Sequence, residues 1–217
     1  QIARECADKK AFVAGSIGPS GEILEPLGSL PYELAVKGFG EQCLALAEGG
    51  VDMLWIETFS DLKEIKAAIE GSMQTGLPIV VTMSFDTAGK TMMGVSPHEF
   101  VSFINKQHNV FAYGANCGLG FDELLQTVGE MQNAGGKNIV AKSNLGIPVF
   151  HDGSINYNTT DKSLHDYAVK ARNMGALFIG GCCGTEAKHI KKIKEILKIS
   201  PYKYLQHKQN NSLKKEK

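Results

Sequence analysis

Three cysteines stand where the chain leaves an apolar run and enters a helical pattern. Cys182 and Cys183 are adjacent, in Gly180-Gly181-Cys182-Cys183-Gly184-Thr185, and Cys117 lies in Gly114-Ala115-Asn116-Cys117-Gly118-Leu119-Gly120. Neighbouring side chains of a regular strand point to opposite faces. The paired sulfurs can therefore converge only where the backbone leaves strand geometry. The flanking glycines allow that, because they tolerate positive φ and close backbone approach. Three thiols at strand-to-helix corners point to a soft metal, zinc first, with one coordination position open.

Three thiolates around Zn²⁺ leave a net negative centre. Such a centre polarises a carbonyl poorly but suits a substrate thiol. Coordination pulls that thiol below its free pKa of about 8.5, so the thiolate dominates near neutrality and stays nucleophilic. The chemistry implied is S-alkylation with the incoming thiol activated by the metal. Other readings stay open: a closed structural zinc site with a fourth protein ligand, no metal at all, or a vicinal disulfide between Cys182 and Cys183. Structural sites usually carry closely spaced cysteine pairs. Cys117 is remote from the doublet in sequence, which favours the open site.

The elements that must position these residues alternate between two periods. Apolar β-rich runs fall at Ala11–Ser16, Val51–Glu57, Pro78–Ser84, Val110–Ala115, Asn138–Lys142 and Leu177–Gly180. Helical stripes lie between them. One helix runs from Pro31 to about Glu48, weakened by Gly38 and Gly40. Another is capped by Ser60, carries Leu62, Ile65 and Ile69, and is closed by Gly76. Further helices start at Pro97, carry Leu124, Val128 and Met131, or carry Leu164, Ala168, Ala171 and Met174. The last carries Ile190, Ile193 and Leu197. The stretch 143–160 reads as a long functional loop. About six βα units imply a parallel α/β architecture. The unusual residues all follow strands, and a barrel gathers such ends at one face. A doubly wound sheet would join only neighbours at its switch point. A full (β/α)₈ barrel needs eight units, so the expected fold class is an α/β TIM barrel, N-terminally incomplete. One domain is expected over 1–199 and a polar, lysine-rich tail over 200–217. The opening at Gln1 reads as the end of a helix, and hence as a fragment or a trimmed product.

Composition bounds the rest. The 217 residues are 43% hydrophobic, and 23 basic side chains balance 23 acidic ones. That excludes a global basic field for nucleic acid or an anionic membrane, and no apolar run is long enough to span a bilayer. Five cysteines without a visible signal peptide argue against a disulfide scaffold and for a reducing, cytoplasmic setting. Cys6 and Cys43 are expected to be small buried hydrophobes.

The motifs around Cys117 and the Cys182–Cys183 doublet resemble the two zinc motifs of the homocysteine S-methyltransferase family. That family takes in betaine–homocysteine methyltransferase and the homocysteine domain of cobalamin-dependent methionine synthase. Val13-Ala14-Gly15-Ser16-Ile17-Gly18-Pro19, Ile56-Glu57-Thr58 and Asn144-Leu145-Gly146-Ile147-Pro148 extend the likeness over nearly the whole chain. The resemblance implies a (β/α)₈ barrel holding zinc through Cys117, Cys182 and Cys183, with the sulfur of homocysteine as a further ligand. It implies substrate-binding roles for Glu57, at the amino group, and for Asn144, near the metal, with a place as metal ligand in the absence of substrate open to Asn144. A carboxylate at a strand end suits an ammonium group; a salt bridge for Glu57 and a turn role for Asn144 stay open. The Asp-Gly-rich loop with which the family begins is not found here.

The implied reaction moves a methyl group from a small donor to homocysteine, giving methionine. The segments 21–28 and 82–94 are similar to single-domain members described as betaine-type, which favours a betaine-like donor. Alternatives are a cobalamin- or S-methylmethionine-dependent enzyme, and a catalytically silent zinc-binding fragment. Trp55 and Tyr157 could meet a quaternary ammonium through cation–π contact, with ordinary packing as the other reading. Neither nucleic acid nor membrane is an expected partner, and a homo-oligomer is left open.

Overall fold

The computed structural model describes residues 1–8, 10–107, 109–151 and 153–199. The tail over 200–217 lies outside the described residues. The chain divides into two compact units, Gln1–Gly114 and Ala115–Lys217.

The first unit contains α1 (Ile2–Ala7), β1 (Ala14–Ile17), α2 (Tyr32–Glu48), β2 (Met53–Phe59), α3 (Leu62–Ser72), β3 (Ile79–Met83) and α4 (Pro97–Ile104). It ends within β4 (Val110–Cys117). The strand order is β1-β2-β3-β4. β1 and β2 pair in parallel with Ser16 opposite Trp55 and Ile17 opposite Ile56. Every residue of β3 is buried, as expected of a parallel strand with both faces covered. On β2, Leu54, Ile56 and Phe59 have no exposure, and Met53, Trp55 and Glu57 are half-buried between them. The residues thus alternate between buried and half-buried from Met53 to Glu57, and the strand runs two residues past that expected end.

Two local expectations need correction. The cap of α3 is Asp61, whose carboxylate accepts the Lys63 N–H at 3.1 Å. Ser60 instead offers its carbonyl to the Thr91 hydroxyl at 2.7 Å. Cys6 is exposed, because α1 buries none of its residues; Cys43, on α2, is fully buried as expected. One glycine of α2, Gly40, also gains a reason. A Cβ on Gly71 would lie 2.6 Å from the Val36 carbonyl and 2.7 Å from the Gly40 nitrogen. Gly40 and Gly71 are where α2 and α3 bring their backbones together, and helix propensity yields to that approach.

The second unit takes the end of β4, then α5 (Phe121–Asn133), β5 (Ile139–Ser143), β6 (Val149–His151), β7 (Ser154–Asn156), α6 (Asp161–Asn173), β8 (Phe178–Gly181) and α7 (Ala187–Ile199). Its parallel order is β4-β5-β8. Val140 stands opposite Phe178 and Ser143 opposite Gly181. The stretch 143–160 is not structureless: β6 and β7 form an antiparallel hairpin, with Phe150 opposite Ile155. Those two residues are exposed, so no buried face wrote an alternating pattern into the sequence. On α6, Leu164, Ala168 and Ala171 are buried as expected. The fourth buried position is Tyr167, while Met174 is exposed. The Tyr167 ring stacks on Phe121 at 4.6 Å, and its hydroxyl reaches the carbonyls of Ala141, at 2.8 Å, and Gly180, at 2.9 Å. One phenol thus ties α6 to the strands β5 and β8 that carry the site.

Candidate metal centre

Cys117 is the last residue of β4 and has φ 60°. The expected strand ended at Ala115; it continues two residues and ends in a left-handed turn completed by Gly118, with φ 77°. Leaving strand geometry there re-aims the sulfur. Cys182 and Cys183 follow β8 directly. The Cys182 N–H donates to the Ser143 carbonyl at 2.7 Å, continuing the β5–β8 ladder by one bond. The Thr185 N–H closes a turn onto the Cys182 carbonyl at 3.1 Å, with Gly184 at φ 80°. A side chain on Gly184 would strike the ring of Tyr157 at 2.6 Å, so that ring packs on this turn.

These turns gather the three sulfurs within the second unit. Cys117 Sγ lies 3.1 Å from Cys182 Sγ and 3.8 Å from Cys183 Sγ, and all three lie within 4.8 Å of one another. A tetrahedral zinc with bonds of about 2.3 Å separates its sulfur ligands by about 3.8 Å. The Cys117–Cys183 distance meets that edge, and a small χ1 rotation opens the shorter one. The donor set is soft, so the residues fit a thiophilic divalent metal.

The polarity around the sulfurs is uneven. The Cys117 thiol and the Cys182 sulfur share a hydrogen bond, which pushes the Cys117 pKa up, with burial adding to it. The same bond holds Cys182 below the ordinary thiol range. The nearby Lys142 charge, the Asn116 amide and the Cys183 N–H act in the same direction, while burial opposes them. Asn116 is 1% exposed, and its Nδ2 points at Cys182 Sγ from 3.8 Å. Sequence reasoning takes Asn116 only as a member of the Cys117 motif and Lys142 only as the end of a strand, and gives neither a role in the site.

Asn144 also belongs to this cluster. Its Nδ2 donates to the Gly118 carbonyl at 2.8 Å, and its Oδ1 accepts the Cys183 N–H at 2.9 Å. Glu57 belongs to the first unit. It sits where the β2–β3 register shifts between Ile56 and Phe59, and Thr58 after it has φ 68°. The Ser16 hydroxyl donates to Glu57 Oε1 at 2.6 Å. Trp55 donates its indole N–H to Thr82 Oγ1 at 3.3 Å.

Among known proteins, the chain is 29% identical over 205 residues to methionine synthase of Mycobacterium leprae, covering 88% of this chain and 17% of that protein. It is 27% identical over 193 residues to methionine synthase of Mycobacterium tuberculosis, covering 86% of this chain and 16% of that protein. The chain thus spans about a sixth of the length of these curated relatives. Among solved structures, the apo form of the homocysteine methyltransferase MmuM from Escherichia coli matches with a TM-score of 0.70 at 23% identity, over 90% of this chain and 68% of that one. Its metallated form matches with a TM-score of 0.68 at 21% identity, over 89% and 66%. The likeness shows the fold: α/β, an incomplete (β/α)₈ barrel with six parallel strands. The homocysteine S-methyltransferase family model matches residues 1–197, and with that match added to the cysteine motifs and the fold, the chain belongs to the homocysteine S-methyltransferase family.

Proposed function

We propose that this protein is a zinc-dependent homocysteine S-methyltransferase that forms methionine in the cytoplasm. The observation that carries the reading is the gathering of Cys117, Cys182 and Cys183 from two strand ends into one ligand set. Bound zinc supplies a Lewis acid that keeps a substrate thiol ionised at neutral pH. The chain's own residues do the rest. Cys117, Cys182 and Cys183 would hold the metal through their sulfurs, and the metal would supply its Lewis acidity to the substrate thiol. Asn116 and Lys142 steady the charge on Cys182. Glu57, whose Oε1 accepts the Ser16 hydroxyl, is the carboxylate that would hold the substrate ammonium. The substrate thiolate then attacks the donor methyl in line. A carbon–sulfur bond forms, and the bond to the donor nitrogen breaks with its electron pair on nitrogen.

A small betaine-like donor is the favoured one, on the segments 21–28 and 82–94. A second reading has the methyl group arrive from cobalamin or S-methylmethionine. It is favoured by one observation: the curated relatives above are methionine synthases, of which the chain covers only 17% and 16%. Zinc-loaded protein, assayed for methionine with homocysteine and each of betaine, methylcobalamin and S-methylmethionine, separates the two. Turnover with betaine alone supports the first reading, and turnover only with another donor replaces it. Zinc binding without turnover on any of the three, in the full-length gene product, would overturn the enzymatic reading.

A further inference from the structure

We infer that Asn144 is the positioning residue of the metal centre: its carboxamide ties the Cys117 corner to the Cys183 corner and so sets the spacing of the sulfurs. This rests on the metal-centre reading above. Both ends of the carboxamide are committed to backbone. Nδ2 holds the Gly118 carbonyl at 2.8 Å, and Oδ1 holds the Cys183 N–H at 2.9 Å. The adjoining main chain repeats the bridge. The Asn144 N–H reaches the Cys117 carbonyl at 3.5 Å, and the Leu145 N–H donates to the Cys183 carbonyl at 3.1 Å. A residue following β5 thus clasps the corners following β4 and β8, between which its own strand is hydrogen-bonded.

The Cys117 corner needs such a brace. Cys117 and Gly118 are successive residues with positive φ, 60° and 77°, and the first is not glycine. A left-handed residue with a side chain persists only where its surroundings over-determine it. The bond to the Gly118 carbonyl fixes that turn from outside. The bond to the Cys183 nitrogen fixes the second sulfur-bearing corner from the same rigid amide. The ligands are thereby arranged before the metal arrives, which is what raises affinity in a preorganised site.

The alternative roles for this side chain, metal ligand or substrate contact, make a different prediction for Asn144→Asp. Aspartate keeps an oxygen for the Cys183 N–H. It replaces the N–H donor with an oxygen that repels the Gly118 carbonyl. A ligand role predicts that the carboxylate binds zinc as well as the amide or better. A substrate role predicts no change in metal binding without homocysteine. Zn²⁺ and Co²⁺ affinities are measured by chelator competition under reducing conditions on the 217-residue chain and on the N144A and N144D variants. The expected result is that both variants lose affinity about 10- to 100-fold, while the thiolate-to-Co²⁺ charge-transfer band survives at saturation. Wild-type affinity in N144D overturns the inference. Should N144D not fold by circular dichroism, Asn144→Ser takes its place, since it cannot span to Gly118; the same loss is expected and wild-type affinity again overturns it. A wild-type chain that binds neither ion overturns the metal-centre reading instead, so the two failures are distinguishable.

Discussion

At the residue scale the account turns on sulfur. Replacing Cys117, Cys182 or Cys183 singly by serine is expected to reduce bound zinc from about one equivalent per chain to a small fraction of that, measured by metal analysis of purified protein. The other two cysteines give an internal contrast. Burial pushes the Cys43 thiol up to about 11, whereas Cys6 is exposed. With the metal bound, a disulfide reagent at mildly alkaline pH is expected to titrate Cys6 at once and Cys43 only on unfolding. Equal rates would contradict the placement of Cys43. The ligand trio was legible in the sequence because its residue types admit few other uses together. Asn116 and Lys142 were not, since an amide or an ammonium acquires meaning only from what it faces. Ser16 is the same kind of case: its bond to Glu57 crosses two strands, and no short-range pattern records such a pair.

At the scale of elements, the positions that matter are those where backbone geometry outranks propensity. Gly71 is one. Gly71→Ala would drive a methyl into the backbone of α2, 2.6 Å from the Val36 carbonyl. Overpacking of this kind costs about 1–3 kcal/mol, read as a lower midpoint in urea denaturation. Gly38, with nothing within 4 Å of a Cβ, serves as the control: Gly38→Ala is expected to be neutral or slightly stabilising. The start of α4 carries a reciprocal capping box, in which Ser96 and Glu99 exchange bonds with each other's backbone. Ser96→Ala should cost about 1 kcal/mol in the same assay. Strands and helices with a buried stripe were legible because burial writes a period into the sequence. The β6–β7 hairpin, exposed on Phe150 and Ile155, left no such mark. The cap of α3 moved by one residue because Ser60 and Asp61 are both capping types, and only the fold shows that the Asp61 carboxylate is the one that accepts the Lys63 N–H.

At the scale of the molecule, among the described residues the strand order ends on β1 in the first unit and on β8 in the second. Unpaired strand edges recruit other strands. Self-association of the isolated chain is therefore expected in multi-angle light scattering, and a monodisperse monomer would contradict it. Among the described residues no helix is long and apolar enough to cross a membrane. The alternation of elements made the α/β class and the six strands legible from sequence. Strand neighbours, such as β5 beside β8 across the hairpin, follow from pairing that sequence distance hides.

The measurement that bears most directly on the central claim is zinc K-edge X-ray absorption of the metal-loaded chain, with and without homocysteine. The account predicts about three sulfur ligands and one lighter atom before addition, and about four sulfurs after it. A shell that homocysteine leaves unchanged would contradict the open thiol-accepting centre.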